Sequence, residues 1–399
     1  MKVIGYNSSH ETSLCQFDTD TWDIDFLYEE ERFRRTKYWF PKPPQDQLVC
    51  IERTAVEKPD AFIGASFDRR LSPLMWDTTN LQYDKKAMQE IIEFIQEEQM
   101  THDRIVEMIQ KFKKYIPTED YKHLIKEYEE KVYLESEQDD GLHGRVADQL
   151  QMEEFHYEIE HHLYHAECGY WFSPWREKEN AIAIVMDGGG CQPYFNEYPN
   201  YQEVETIYKL QPDTVPVKQY QRLSNYRNLS EMNGLYFWEN DMGHIHRAPD
   251  LEIEKDGSQI VFSSKPSMGM NFSSLSLYLG FDKLGRAAGK VMGAASYQEW
   301  TESPEGYTDW STHSMCNLLQ QKSFDYTCGV IQRAIDLNPD CKNIILSGGF
   351  ALNCTNNAKY LERFPDHQFF VDPVAHDGGT AVGGAIRLAR ALKHGETTV

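Results

Sequence analysis

Two histidines one helical turn apart are the residues of this sequence best placed to do chemistry. They are His161 and His165, in the stretch IEHHLYHAECGY (159–170), which has the spacing of an amphipathic helix. On such a helix the two imidazoles share a face, while His162 points about 100° away. Neutral imidazoles in this arrangement can reach a single metal ion. The alternative is a pair of histidines that pack the helix or face solvent.

A third ligand for such an ion lies near the C-terminus, at Asp377. This residue is in the segment VDPVAHDGGTAVGGA (371–385), directly after a predicted strand and at the start of a predicted helix. Loops at the carboxyl ends of strands gather ligands in α/β folds. Two imidazoles and one carboxylate with open coordination positions suit iron(II) or another first-row divalent ion. The sequence therefore predicts a metal site built from two distant segments.

Three glycine-rich turns follow apolar strands, at IVMDGGG (184–190), ILSGGFALN (345–353) and HDGGTAVGG (376–384). Glycine lets backbone N–H groups approach a phosphate closely, and a following helix adds a favourable dipole. A tight turn that needs a positive φ explains each of them singly. Their clustering in one chain favours a nucleotide or a phosphorylated ligand.

Basic side chains cluster in two segments of an otherwise acidic chain. The segment EEERFRRTKYWFPK (29–42) could dock an anionic substrate, or its basic groups could pair with the glutamates at 29–31. The segment LGRAAGKVMGAAS (284–296) carries Lys290 in a small-residue turn that suits a phosphate or a sharp helix start. The basic residues of the first segment are Arg32, Arg34, Arg35, Lys37 and Lys42.

The elements that must position these groups alternate between strands and helices. Strand-like runs open the chain (KVIGYN, TSLCQF, IDFLYEEE) and recur after residue 180 (AIAIVMD, EVETIYKL, VKQYQRL). From about residue 314, helices alternate with the strands NIILSGG and HQFFVDP, and a final helix ends near Leu392. The pattern predicts an α/β fold with two related lobes, at 1–175 and 176–399.

Two further stretches have helical spacing, and one predicts a hairpin. Residues at about 84–135 are dense in Glu and Lys, which is typical of a solvated helical insertion. The helical pattern resumes over about 144–172 and includes the histidine pair. Residues 252–264 predict a β-hairpin around Asp256 and Gly257.

Composition and charge exclude several classes of protein. The 399 residues and 40% hydrophobic content are enough for two lobes of ordinary size. No apolar run reaches the roughly 18 residues that a membrane span needs, and MKVIGYNSS lacks the features of a signal peptide, so a cytoplasmic protein is expected. A formal charge of −23 disfavours nucleic acid except through a local basic cleft. Eight cysteines without a C-x-x-C pair indicate reduced thiols.

Seven segments, in order over nearly the whole chain, resemble the O-carbamoyltransferase family, which includes the nodulation-factor, cephamycin and tobramycin carbamoyltransferases. That resemblance implies the bilobal fold shared by actin, sugar kinases and the Hsp70 ATPase, in agreement with the two predicted lobes. The segments are IGYNSSHETS, EEERFRRTKYWFP, HHLYHAE, AIVMDGGG, LGRAAGKVMGAASY, SGGFALNC and DPVAHDGGTAVGGA.

The resemblance also implies a reaction and roles for individual residues. In that family an adjoining domain makes carbamoyladenylate from ATP and carbamoyl phosphate, and the actin-like domain passes the carbamoyl group to an acceptor hydroxyl. His161, His165 and Asp377 match the metal positions, with Fe²⁺ the usual ion, and Mg²⁺ is left open as a companion of ATP. His10 is the implied catalytic base, and Lys37 matches a basic position near the adenylate. The implied adenylate-binding residues are Asn7, Asp187, Gly188, Gly189, Lys290, Gly348, Gly349 and Asn353.

Two departures from the family pattern affect these expectations. The motif HDAS reads HETS here, so Glu11 replaces an aspartate and the role of that carboxylate is open. The sequence ends at LKHGETTV, where full-length relatives continue with the adenylate-forming domain. Either a separate protein supplies carbamoyladenylate, or this chain binds donor and ATP differently.

The acceptor and two rival functions stay open. The family acts on hydroxyls of sugars and antibiotics, and phage-type relatives are thought to modify hydroxymethylated pyrimidines in DNA, which the acidic charge of this chain disfavours. The stretch NGLYFWENDMGHIHR (233–247) is a candidate acceptor site or a piece of core. The rivals are a sugar kinase of the same fold and a non-catalytic nucleotide-binding partner of a separate adenylate-forming protein.

Overall fold

A computed structural model describes most of the two predicted lobes. Four sequence predictions fall outside the described residues: the helical insertion at 84–135, His10, Lys42 and the stretch at 233–247. None of the described helices has the length and apolar character needed to cross a bilayer. The structure describes residues 1–9, 11–37, 48–65, 146–152, 156–158, 160–191, 193, 201–224, 250–263, 265–281, 287–299 and 311–395.

The chain divides into two compact units, which we call unit 1 and unit 2. Unit 1 comprises Met1–Glu167, Cys191–Tyr201 and Asp377–Val399, and unit 2 comprises Cys168–Gly190 and Gln202–His376. The expected lobes divided the chain once, near residue 175. The last helix instead belongs to unit 1, because it packs on strands of that unit's sheet.

Unit 1 contains a five-stranded sheet in the order β3-β2-β1-β4-β5. Strands β1, β2 and β3 are antiparallel neighbours, whereas β4 and β5 extend the sheet in parallel with β1. Its strands are β1 (Lys2–Asn7), β2 (Ser13–Asp18), β3 (Asp23–Glu29), β4 (Ala61–Ala65) and β5 (His156–Glu158).

Unit 2 contains a seven-stranded sheet in the order β12-β11-β6-β7-β8-β10-β9. Strands β6, β7 and β8 are antiparallel neighbours, and β11 and β12 extend the sheet in parallel with β6. Its strands are β6 (Ala181–Met186), β7 (Gln202–Leu210), β8 (Val217–Ser224), β9 (Leu251–Lys255), β10 (Ser258–Ser263), β11 (Asn343–Ser347) and β12 (Gln368–Val371).

The two sheets share one topology. The order β8-β7-β6-β11-β12 in unit 2 repeats β3-β2-β1-β4-β5 of unit 1, strand for strand and direction for direction. Unit 2 adds the hairpin β9–β10, whose turn places Asp256 and Gly257 at positive φ. The prediction of an α/β fold with two related lobes is therefore confirmed.

Eight α-helices connect or cover the strands within the described residues. A 3₁₀ turn precedes each of the last two helices, at Gly349–Leu352 and Asp377–Gly379. The helices are α1 (Glu30–Arg34), α2 (Val49–Thr54), α3 (His161–Phe172), α4 (Met268–Tyr278), α5 (Ala288–Ala295), α6 (Thr312–Leu337), α7 (Cys354–Arg363) and α8 (Thr380–His394).

The region predicted to be helical over 144–172 differs from that expectation in two ways. Residues 156–158 form β5, because pairing with β4 overrides the local helical pattern. The helix that follows, α3, is not amphipathic, since every residue from 161 to 171 is buried. A helix that is buried all round has no solvent-facing stripe, so its polar side chains must find partners inside the protein.

The C-terminal helix α8 approaches α3 closely inside unit 1. A Cβ atom added at Gly383 would lie 2.0 Å from the backbone oxygen of Tyr164 in α3. Backbone cannot move aside as a side-chain tip can, so this position tolerates only glycine. The close contact holds together the two helices that carry or adjoin the histidine pair and Asp377.

We expect Gly383→Ala to lower the free energy of unfolding by about 3 kcal/mol, the upper range for overpacking. Urea unfolding measures the change. The matched control is Gly329→Ala in α6, where an added Cβ meets nothing within 4 Å and alanine should stabilise the helix by about 1 kcal/mol. Equal stability of wild type and Gly383→Ala would contradict the close approach.

Candidate metal site and glycine turns

The histidine pair and Asp377 meet inside unit 1. His161 Nε2 lies 3.5 Å and His165 Nε2 lies 3.8 Å from Oδ1 of Asp377. The two imidazole rings are 4.8 Å apart between centroids and nearly perpendicular, at 85°. Both histidines are buried, and Asp377 is 7% exposed. Residues more than two hundred positions apart in the sequence thus form one cluster.

The cluster fits a first-row divalent ion. Two ligand atoms about 2.1 Å from an ion, at a tetrahedral angle, are about 3.4 Å apart, close to the observed 3.5 and 3.8 Å separations. All three ligand atoms lie within 4.8 Å of one another. Neither ring nitrogen of His165 has a hydrogen-bond partner among the described residues, although both are buried. Burying the two polar nitrogens of an imidazole without hydrogen bonds costs free energy of folding, unless a ligand such as a metal ion binds them.

Two glycine-rich turns meet inside unit 2. The carboxylate of Asp187, which follows β6, accepts a hydrogen bond from the backbone N–H of Gly349 at 3.1 Å. Gly348 has φ 84°, and a Cβ there would lie 2.3 Å from the oxygen of Met186, so glycine is required. The turns after β6 and β11 therefore lie side by side in unit 2, and phosphate binding there stays a prediction.

A residue that the sequence analysis missed supports the first of these turns. Ser267 Oγ donates to the backbone oxygen of Gly188 at 2.8 Å and accepts from the N–H of Met270, which makes Ser267 the N-cap of α4. Gly269 also approaches closely, since a Cβ there would lie 3.1 Å from the Cα of Gly188. A serine before an apolar run was the available signal for this cap.

A buried charged cluster is hydrogen-bonded to the segment that leads to Ser267. Arg222 donates to the carboxylate of Glu205 at 2.6 Å and to the backbone oxygen of Lys265 at 3.0 Å. Tyr326 of α6 donates to both oxygens of the same carboxylate. Burial and then the Glu205 charge hold the pKa of the Tyr326 phenol well above its usual value, so it keeps the proton it donates.

Two residues that the resemblance implies for adenylate binding have hydrogen-bond partners within the protein. The carboxamide of Asn353 caps α7 by accepting from the N–H of Asn356, and it exchanges hydrogen bonds with Gln320 of α6. Lys290 is exposed, and its ammonium donates to the backbone oxygen of Phe281 at 3.0 Å. Asn353 is the last residue of the segment ILSGGFALN (345–353), and its backbone N–H donates to the oxygen of Phe350 at 3.0 Å. The roles of both residues in adenylate binding stay predictions.

The basic segment at 29–42 is partly neutralised by its own glutamates. Arg32 pairs with Glu29 at 2.7 Å, and Arg34 pairs with Glu30 at 2.6 Å. The buried Glu30 also accepts from the first N–H groups of α2, so it acts as a structural cap. Lys37 is exposed. The self-pairing alternative therefore accounts for two of the arginines.

A family model described as "Carbamoyltransferase N-terminus" matches residues 330–386 of the chain. The matched stretch begins inside α6, contains Gly348 and Gly349, and ends inside α8 after Asp377. Over this stretch the chain is similar to the N-terminal part of carbamoyltransferases. This match agrees with the resemblance read from the sequence motifs, and it covers the motifs SGGFALNC and DPVAHDGGTAVGGA.

Two known proteins match different shares of the chain. The Nodulation protein NolNO of Sinorhizobium fredii (strain NBRC 101917 / NGR234) is 43% identical over 51 residues, which are 13% of this chain and 8% of that protein. Full-length HypF, solved in a phosphate- and nucleotide-bound form, is 14% identical with a TM-score of 0.40, over 68% of this chain and 50% of HypF.

Another solved structure matches over the whole chain. The activator of the 2-hydroxyisocaproyl-CoA dehydratase from Clostridium difficile, with bound ADPNP, is 7% identical with a TM-score of 0.45. It covers 100% of this chain and 99% of its own. The shared strand order described above remains the basis for the fold.

Proposed function

We propose that this chain transfers a carbamoyl group from an activated donor to an acceptor hydroxyl. The observation that carries the proposal is the family match over 330–386, which includes Asp377, together with the position of the Asp377 carboxylate between His161 and His165. A polar cluster of this kind in a buried position is costly to maintain, so a role in binding or catalysis favours its presence.

In the proposed function, His161, His165 and Asp377 hold a divalent metal. Two imidazoles and a carboxylate suit Fe²⁺, although other first-row ions accept the same ligands. When bound, such an ion supplies a Lewis acid that polarises or orients an oxygen of the donor. The three side chains fix its place, because two of them lie on the buried helix α3 and the third begins α8.

The donor in this proposal is carbamoyladenylate, made from ATP and carbamoyl phosphate by this chain or by a separate protein. A carbamoyl carbon is a weak electrophile because its nitrogen donates into the carbonyl, and attachment to AMP provides a good leaving group. Support for a phosphate site comes from the paired turns at Asp187–Gly188 and Gly348–Gly349 in unit 2. Gly189 follows directly in the first turn.

The transfer step forms one bond and breaks one. The acceptor oxygen attacks the carbamoyl carbon, the bond from that carbon to the phosphate oxygen breaks, and AMP leaves with the electron pair. The acceptor proton passes to a base, for which we propose His10, three positions after the end of β1 in the sequence. Lys37 is proposed as a cationic group near the leaving phosphate.

Mass spectrometry of candidate acceptors tests the function. The protein is incubated with ATP and carbamoyl phosphate, or with synthetic carbamoyladenylate, and with sugars, small hydroxyl metabolites and hydroxymethylcytosine DNA. A mass increase of one carbamoyl group on one class identifies the acceptor. Transfer with the synthetic donor alone indicates that a separate protein makes the adenylate. Formation of ADP from ATP in the presence of sugars and without carbamoyl phosphate would contradict the proposal. So would binding of the adenylate with no transfer to any acceptor.

A further inference from the structure

Three side chains, at the end of β1, at the start of β2 and between these strands, form hydrogen bonds with the loop that begins with Asp377. Asn7 Nδ2 donates to the backbone oxygen of Asp377 at 3.0 Å, and Ser13 Oγ donates to the backbone oxygen of Gly378 at 2.8 Å. Glu11 Oε2 accepts from the backbone N–H of Asp377 at 3.0 Å. The turn therefore binds the peptide groups on both sides of the Asp377 Cα atom.

These contacts decide where the Asp377 carboxylate points. Fixing the N–H and the C=O of one residue fixes its Cα–Cβ direction and leaves only two side-chain torsions. Thr380 Oγ1 also donates a hydrogen bond to the backbone oxygen of Asp377, at 2.7 Å. The imidazoles opposite lie on the buried helix α3, so the carboxylate reaches them only if the loop is held in place.

Glu11 differs from its two neighbours in the turn. Asn7 also donates to Ser9 Oγ and to the backbone oxygen of Glu11, so it organises the turn itself. Glu11 is half-buried and contributes a carboxylate. A carboxylate that accepts from an N–H at the start of a helical segment makes a charge-assisted hydrogen bond and complements the helix dipole.

We propose that Glu11 is a positioning residue of the metal site, holding the Asp377 peptide so that the aspartate carboxylate faces His161 and His165. The inference rests on the metal site of the proposed function and extends it to the N-terminal turn.

Titration with Co²⁺, followed by its visible absorption, tests the inference without any activity measurement. Glu11→Ala should weaken Co²⁺ binding by about 10- to 100-fold and change the absorption band, the usual cost of losing a group that orients a ligand. Glu11→Gln keeps an acceptor oxygen at the same reach and should stay within about threefold of wild type. Glu11→Asp, one methylene shorter, should behave like the alanine variant.

The controls separate the possible failures. Glu52→Ala removes an exposed carboxylate of α2 and should leave Co²⁺ binding unchanged. Thermal unfolding shows whether each variant is folded. If Glu11→Ala does not fold, the comparison of Co²⁺ binding by Glu11→Gln and Glu11→Asp tests the positioning role. Wild-type affinity and band in Glu11→Asp or Glu11→Ala would overturn the positioning role alone. Unchanged Co²⁺ binding by His161→Ala, or no binding by wild type, would overturn the metal assignment and this inference with it.

Discussion

His165→Ala is expected to lose its bound metal and to transfer carbamoyl groups at least about 100-fold more slowly than wild type, the effect of removing several kcal/mol of Lewis-acid stabilisation. Both ring nitrogens of His165 are buried without a hydrogen-bond partner among the described residues, so a metal ion is the partner that the proposed function gives this side chain. Metal analysis and single-turnover assays with synthetic carbamoyladenylate measure the two losses. His161→Ala should behave in the same way.

Two controls make the His165 result specific. His313→Ala removes an exposed imidazole and should retain metal and activity. His165→Asn keeps much of the side-chain volume, so loss of metal in a folded asparagine variant cannot be assigned to a cavity. A metal-free His165→Ala protein that turns over at the wild-type rate would refute the proposed role of the ion.

Arg390→Leu is expected to lower the free energy of unfolding by about 3 to 5 kcal/mol, the usual cost of breaking a buried ion pair by removing one partner. Arg390 of α8 bonds to the carboxylate of Glu167 in α3, and both residues are almost fully buried. Removing the guanidinium leaves the glutamate without its positive partner in a water-poor interior. Urea unfolding, with midpoint and slope compared between variants, gives the change.

A double variant distinguishes loss of the pair from loss of packing. Glu167→Met combined with Arg390→Leu removes both charges and should recover most of the stability that Arg390→Leu loses, because an apolar replacement of a buried pair is often neutral. A double variant no more stable than Arg390→Leu would show that the side-chain volumes, and not the uncompensated charge, decide the effect.

Local pattern was enough to predict most of the strands. The runs KVIGYN and AIAIVMD form β1 and β6, which occupy matching places in the two sheets, since apolar β-branched runs bounded by turns have few alternatives. The short strand β5 was missed because three residues hold too little pattern, and its pairing with β4 is a tertiary effect. The full burial of α3 was also missed, because histidine and glutamate residues in a helix usually indicate that one face of the helix is exposed to solvent.

In the candidate site, too, local sequence pattern predicted some residues, and contacts between distant segments could not be predicted from it. His161 and His165 could be paired from spacing alone. Asp377 was predicted as the third ligand from its place after a predicted strand, and the family resemblance implies the same residue. The contact of Glu11 with the Asp377 N–H spans 366 positions and involves a backbone group, so no side-chain pattern could indicate it. Asn353 stays an untested prediction: the resemblance implied a contact with the adenylate, and in the structure its carboxamide caps α7. Asparagine serves both purposes, and only its neighbours decide between them.

Anomalous X-ray diffraction from crystals of the protein loaded with Fe²⁺ or Co²⁺ tests the central claim most directly. The account predicts one strong metal peak about 2.0 to 2.2 Å from His161 Nε2, His165 Nε2 and an oxygen of Asp377. A metal peak bound by other residues, or none at this cluster in the loaded protein, would contradict it.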